Sequence, residues 1–143
     1  MKNVKRQKFL PKNPKKYAGD VSNIFARSKL ELIYMAALDT SPIVHRWICE
    51  PKNFNIRYVN PKDNKVHTYW PDFLIQYVNG KVDLVEIKPL KYSLNEAART
   101  AEDKLELMIN QQKWKAAEAF AKSIRATFRV ITEKNLLTKR NKR

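Results

Sequence analysis

Apolar residues recur at four-residue spacing early in the chain, at Leu30, Tyr34 and Leu38, with Ile33 and Ala37 beside them. That period predicts an amphipathic helix over 23–38. Ser22 or Asn23 is placed to cap it, and Asp39-Thr40-Ser41-Pro42 to stop it. The pattern then changes to short runs of β-branched and aromatic residues at 44–48, 54–59 and 66–77. The turn-forming string Asn60-Pro61-Lys62-Asp63-Asn64 separates the last two. A further strand is expected over 82–88, reached through the hairpin signal Asn79-Gly80. Helical spacing returns over 94–123, with a break expected near Asn110. A late strand at 128–132 and a short helix at 133–137 complete the pattern. This order predicts an α/β fold, a mixed β-sheet flanked by helices.

The 143 residues suit one domain with a hydrophobic core of its own. A single cysteine, Cys49, excludes an internal disulfide framework and fits a reducing compartment. No apolar run approaches the length of a membrane span, and the basic N-terminus lacks the apolar stretch of a secretory signal. Charge changes the picture most. Lys and Arg total 29 against 14 Asp and Glu, a formal net charge of +15, which points to polyanionic partners, nucleic acid above all. Residues 1–18 carry seven basic residues, no acid and two prolines, and read as an extended basic N-terminal arm. Residues 138–143 read as a basic C-terminal tail, leaving 19–137 as the folded domain.

Candidate chemistry lies in two strings, Pro71-Asp72-Phe73 and Val85-Glu86-Ile87-Lys88-Pro89. Side chains alternate along a strand, so Val82, Leu84, Glu86 and Lys88 share one face. The hairpin at Asn79-Gly80 sets Asp72 near the level of Glu86. Neighbouring strands lie about 4.8 Å apart, close enough for two carboxylates to share one ion. Two carboxylates, waters and a backbone carbonyl, here that of Ile87, suit Mg2+. Lys88 is placed to orient or deprotonate a water, or to neutralise charge in a transition state. Taken singly, each string is commoner as structure: Asp after Pro as a turn, Glu-x-Lys as a solvated strand face. Their combination across a hairpin, among apolar neighbours, favours chemistry, because carboxylates beside buried positions need a reason to be there.

Other residues read more plainly. By periodicity alone Glu31 is an i,i+4 partner of Arg27 on a solvated helix face. Around Gln111, Lys113 and Lys115 the second helix has a polar edge that could reach phosphate or form a solvated face, while Trp114, Ala117, Phe120 and Ala121 turn inward. His45 and His67 lack metal-ligand spacing, and Cys49 reads as a small core residue. Trp47, Trp70 and Trp114 are expected as core anchors rather than base-stacking platforms.

The succession Ser28-x-x-Glu31, Tyr69-x-Pro71-Asp72-Phe73 and Val85-Glu86-Ile87-Lys88-Pro89 resembles the TnsA-like branch of the PD-(D/E)XK nucleases. Lys113-Trp114-x-Ala116-Ala117 and Phe128-x-Val130-Ile131-Thr132-Glu133 are similar to that branch's later helix and strand. The N-terminal strings Phe9-x-Pro11-Lys12-Asn13-Pro14-x-Lys16-Tyr17, Gly19-Asp20-Val21-Ser22-Asn23-Ile24 and Arg27-Ser28-Lys29-x-Glu31 resemble the head completion nucleases of T-even-type bacteriophages. So does Tyr58-Val59-Asn60-Pro61 leading to Lys65-Val66-His67. The resemblance implies a restriction-endonuclease-like core with Glu31, Asp72, Glu86 and Lys88 as catalytic residues. It implies metal-dependent cleavage of double-stranded DNA, with Mg2+ as cofactor and Mn2+ as a substitute. Asp72, Glu86 and the Ile87 carbonyl would hold the metal, with Glu31 as a further ligand or an orienter of a metal-bound water. Lys12, Lys15, Lys16, Arg27, Gln111, Lys113 and Lys115 are the expected phosphate contacts. The implied setting is the host cell cytoplasm or the virion, on packaged DNA before tail attachment, with portal or neck proteins as partners. Two other readings keep the fold: a virion neck or portal adaptor without turnover, and a junction resolvase or transposon end-cutting endonuclease.

Overall fold

The structure is a computed structural model that describes residues 6–90 and 100–136. Strand β1 (Gln7–Lys8) leads through a 3-10 turn (Pro14–Lys16) to β2 (Phe25–Ala26), with which it pairs antiparallel. Helix α1 (Lys29–Thr40) follows, then β3 (Val44–Cys49), β4 (Ile56–Asn60), β5 (Lys65–Tyr69), β6 (Phe73–Tyr77) and β7 (Val82–Ile87). Helix α2 (Ala101–Ser123), β8 (Thr127–Ile131) and a helical turn at 133–136 complete it. The central sheet runs β3-β6-β7-β8 and is mixed, antiparallel except for the parallel pair β7–β8. Parallel neighbours need a long crossover, and α2 lies within it. β4 and β5 form a separate hairpin that packs on α2.

Strand alternation sorts the apolar residues into two cores. On one face of the sheet, Phe73, Ile75, Val85 and Ile87 pack with Met35 and Leu38 of α1 and with Trp47. On the other, Leu84 packs with Ala117 and Ala121 of α2 and with Ile56, Tyr58 and Tyr69 of the hairpin. Trp47 is the aromatic hub of the first core, edge-on to Tyr17 at 4.7 Å and Phe9 at 5.9 Å between ring centroids.

Three local expectations change for physical reasons. The first helix begins at residue 29, because 25–26 are held extended against β1 and Phe9 N–H donates to the Ile24 carbonyl at 2.8 Å. The cap is Ser28, whose side chain accepts the Glu31 N–H. The run 66–77 is two strands, since Pro71 lacks the N–H a continuous central strand would use. α2 passes Asn110 unbroken, and its expected first residues at 94–99 lie outside the described residues, as does the tail at 138–143.

The basic N-terminal segment, expected as an extended arm, is built into the domain from Arg6 onward. Phe9 and Tyr17 are core residues. The buried carboxylate of Asp39, at the end of α1, accepts the backbone N–H groups of Lys12 at 2.7 Å and Asn13 at 3.0 Å. The Lys16 ammonium donates to the carbonyls of Asp39 and Ser41, capping the negative end of the helix. Two N–H groups therefore depend on one side chain. Asp39→Ala should destabilise the fold by about 2–4 kcal/mol, read as a lower urea midpoint at unchanged slope. Asp39→Asn, which keeps one acceptor oxygen, should lose less.

Candidate active site

The site grows from the β6–β7 register. Phe73 faces Val85, Leu74 faces Leu84 and Ile75 faces Asp83. One step further, this register sets Asp72 opposite Glu86. Glu86 shares its face with Leu84, toward α2 and the β4–β5 hairpin, and is 7% exposed. The Tyr69 hydroxyl donates to its Oε1 at 2.6 Å, and the Lys88 ammonium lies 3.5 Å from its Oε2. Asp72 Oδ2 accepts the Ile87 N–H at 2.7 Å. N–H and C=O of one strand residue project the same way. The Ile87 carbonyl therefore also points toward Asp72, away from β8. Lys88 N–H turns the other way and donates to Ile131 of β8 at 3.0 Å, which fixes the backbone that carries its ammonium.

Electrostatics mark this cluster. Burial, then the Glu86 charge, push the Asp72 carboxyl well above the usual range; the Ile87 N–H and Lys88 oppose only part of that. Burial also raises Glu31, against the Arg27 N–H and charge, with Glu50 and Glu86 adding to the rise. The Tyr69 phenol is driven far above its ordinary value by burial and the Glu86 charge, so it remains a donor.

The structure brings Asp72, Glu86, Ile87 and Lys88 together and places Glu31 at the near end of α1, within their field. Glu31 is not an ion-pair partner of Arg27. Its Oε1 accepts the Arg27 backbone N–H at 3.1 Å, while the Arg27 guanidinium pairs with Glu50 at 2.7 Å. Glu50 stands in a left-handed conformation (φ 50°) just after β3, and its N–H donates to the Asp72 carbonyl at 2.8 Å. Arg27 thus lines the rim of the cleft. Lys12, Lys15 and Lys16 sit at the opposite end of α1, about 12 Å along the axis from Glu31 at 1.5 Å per residue. Gln111 and Lys115 flank a groove of about 400 Å³ with Trp114, Phe128 and Val130. Val130 is the β8 neighbour of Glu86, so this groove lies on the Glu86 side of the sheet. Lys113 lies over the Tyr58 ring at 5.9 Å.

Two participants carried no assigned role in the sequence reading: Tyr69 and Glu50. Tyr69 stands three residues before Asp72, within the string Tyr69-x-Pro71-Asp72-Phe73 that carries the family resemblance. Trp70, expected in the core, is 48% exposed, because alternation turns it outward beside the buried Tyr69. Cys49 is unsuited to attack, its thiol being pushed up by burial. His45 is exposed, and His67 pairs with Asp63 at 2.9 Å. Among the described residues no three His, Cys, Asp or Glu side chains form a ready metal group.

A mixed sheet with Asp72, Glu86 and Lys88 gathered at the ends of two paired strands is the framework of a restriction-endonuclease-like nuclease. Residues 41–133 match the family described as TnsA-like endonuclease N terminal. The chain is also 32% identical over 139 residues to the head completion nuclease of Enterobacteria phage T4, covering 90% of this chain and 91% of that protein. The chain belongs to the TnsA-like endonuclease family and is a DNA endonuclease.

The raised Asp72 carboxyl has a consequence for the metal-free protein. A group held above its unfolded value adds stability that is complete below that value and lost as pH rises through the folded one. Wild type should therefore lose stability relative to Asp72→Asn as pH climbs from the ordinary 3.8 through the elevated pKa. Denaturant melts of both proteins in chelator across that range check this; parallel curves would contradict it.

Proposed function

We propose that this endonuclease hydrolyses phosphodiester bonds of double-stranded DNA with Mg2+ held by Asp72, Glu86 and the Ile87 carbonyl, Mn2+ serving as a substitute. The carrying observation is the half-buried Asp72 carboxyl raised by desolvation and by the charge of the buried Glu86, with the Lys88 ammonium 3.5 Å from Glu86. More positive charge than Lys88 supplies would favour the ionised form of Asp72 beside Glu86. Two carboxylates, a carbonyl and waters fit a hard divalent ion. Bound there, the ion would supply Lewis-acid stabilisation of the phosphoryl and leaving oxygens.

The protein's own groups do the positioning. Tyr69 holds Glu86 by Oε1, the Lys88 ammonium lies beside its Oε2, and the Ile87 N–H holds Asp72 by Oδ2. The Lys88 ammonium, on a side chain 23% exposed, is suited to orient the attacking water and to meet charge developing on the phosphate. Glu31 acts from α1 as a further ligand or as an orienter of bound water. Arg27, Gln111, Lys113 and Lys115 contact phosphates around the cleft. Lys12, Lys15 and Lys16 extend the basic surface at the far end of α1.

The similarity to the T4 head completion nuclease supports a role in phage head completion; action on packaged DNA before tail attachment, beside portal or neck proteins, is part of this proposal. No helix among the described residues is long and apolar enough to cross a membrane. The test uses linear, closed circular and branched DNA with Mg2+ or Mn2+. Asp72→Ala, Glu86→Gln and Lys88→Ala should each lower the cleavage rate by about 100-fold or more, and chelator should abolish it. DNA bound but uncut on every substrate with either metal would overturn the proposal in favour of a non-catalytic virion adaptor. Binding itself should weaken by about a thousandfold between 50 and 200 mM salt if some six phosphates are contacted.

A further inference from the structure

Among the described residues, Trp70 is the large aromatic left exposed. Its neighbours on both sides are buried: Tyr69 at 5% exposure, and Pro71 below 2%. The backbone beneath the indole is thus pinned, and the ring is displayed on a rigid support two residues before Asp72. Its described ring contact is the Lys52 ammonium, 5.7 Å from the centroid. Arg27, Glu50, Lys52, Trp70, Pro71 and Asp72 enclose an opening of 240 Å³. That volume leaves room for a planar ring beside the indole. An exposed aromatic beside cations is a surface that single-stranded nucleic acid uses; here the cations are Lys52 and Arg27, the latter paired with Glu50.

We infer that Trp70 stacks on an unpaired base next to the phosphate addressed by Asp72 and Glu86, so that the enzyme selects DNA with a nucleotide displaced from the duplex. The inference rests on the site proposed above. In an intact duplex both faces of a base are already covered by its neighbours. Trp70 could reach one only after that stack is opened, at a free-energy cost that an unpaired nucleotide has already met. Lys52, above the ring, and Arg27, at the rim, are positioned to take the flanking phosphates. The indole supplies no base-edge code, so selection is by pairing state rather than by sequence.

The test compares a fully paired duplex with the same duplex carrying one to three unpaired nucleotides at an end or at an internal flap. Wild type, Trp70→Ala and Trp70→Phe are assayed for kcat/KM in Mg2+. Trp70→Ala should lose about five- to a hundredfold on the unpaired substrates and little on the paired duplex, while Trp70→Phe keeps most of the preference. End and flap arms show whether a terminus is needed. A 2-aminopurine at the unpaired position should be quenched on binding the Asp72→Asn protein, and not when Trp70→Ala is added to it. That readout needs no turnover, so it decides the stacking even if the nuclease assignment fails. An unchanged ratio of unpaired to paired cleavage in Trp70→Ala, an equal loss on both substrates, or unquenched 2-aminopurine would each overturn the inference. Circular dichroism and thermal melts confirm that the variants fold.

Discussion

The β6–β7 register is the constraint on which the site depends, and the Ile87 N–H to Asp72 Oδ2 bond is its outermost rung. A slip of one residue would turn every side chain of one strand to the opposite face. Glu86 would leave Tyr69 and enter the α1 core, while Val85, wholly buried there, would be expelled from it. Register is therefore held by the two cores together: Phe73, Ile75 and Val85 on one side, Leu84 on the other. Gly80 closes the turn at φ 89°, a conformation that strains other residues. The candidate site is fastened to packing that has nothing to do with its charges.

The site itself opposes folding. Burying Asp72 beside Glu86 raises the carboxyl, and the supports around the pair, Tyr69, the Ile87 N–H and Lys88, offset only part of that. This is the usual form of a functional site: local charge placed where the fold alone would not put it, and held by a well-packed surround. A chain of +15 gathers DNA from a distance, while Glu31, Glu50, Asp72 and Glu86 make the cleft itself acidic. Attraction and the proposed chemistry are thus divided between the periphery and the centre.

Much of this was legible in the chain. The strands at 44–48 and 82–88 follow from β-rich runs, and the face shared by Glu86 and Lys88 follows from alternation alone. Asp72 came within reach of Glu86 through Asn79-Gly80, a short-range signal. What was misread depends on distant partners. The residues at 25–26 are a strand because residues 7–8 pair with them. The basic N-terminal segment is no free arm because Asp39, more than twenty residues later, accepts its N–H groups. Trp70 looked like core because tryptophan usually is, and only the anchoring of Tyr69 and Pro71 decides which way it faces.

The sequence by itself determined the existence of both helices and of the central strands, the charge, and the identity of the acids and lysine at the ends of two neighbouring strands. Periodicity and turn chemistry act over a few residues and survive in a linear reading. Tertiary structure decided the rest: that Tyr69 would hold Glu86, that Glu31 would enter the field of Asp72 from a helix some forty residues away, and that an indole would stand exposed beside them. Those relations come from burial and from contacts across sequence separations that no local pattern encodes, because the packing that sets them exists only once both cores have closed.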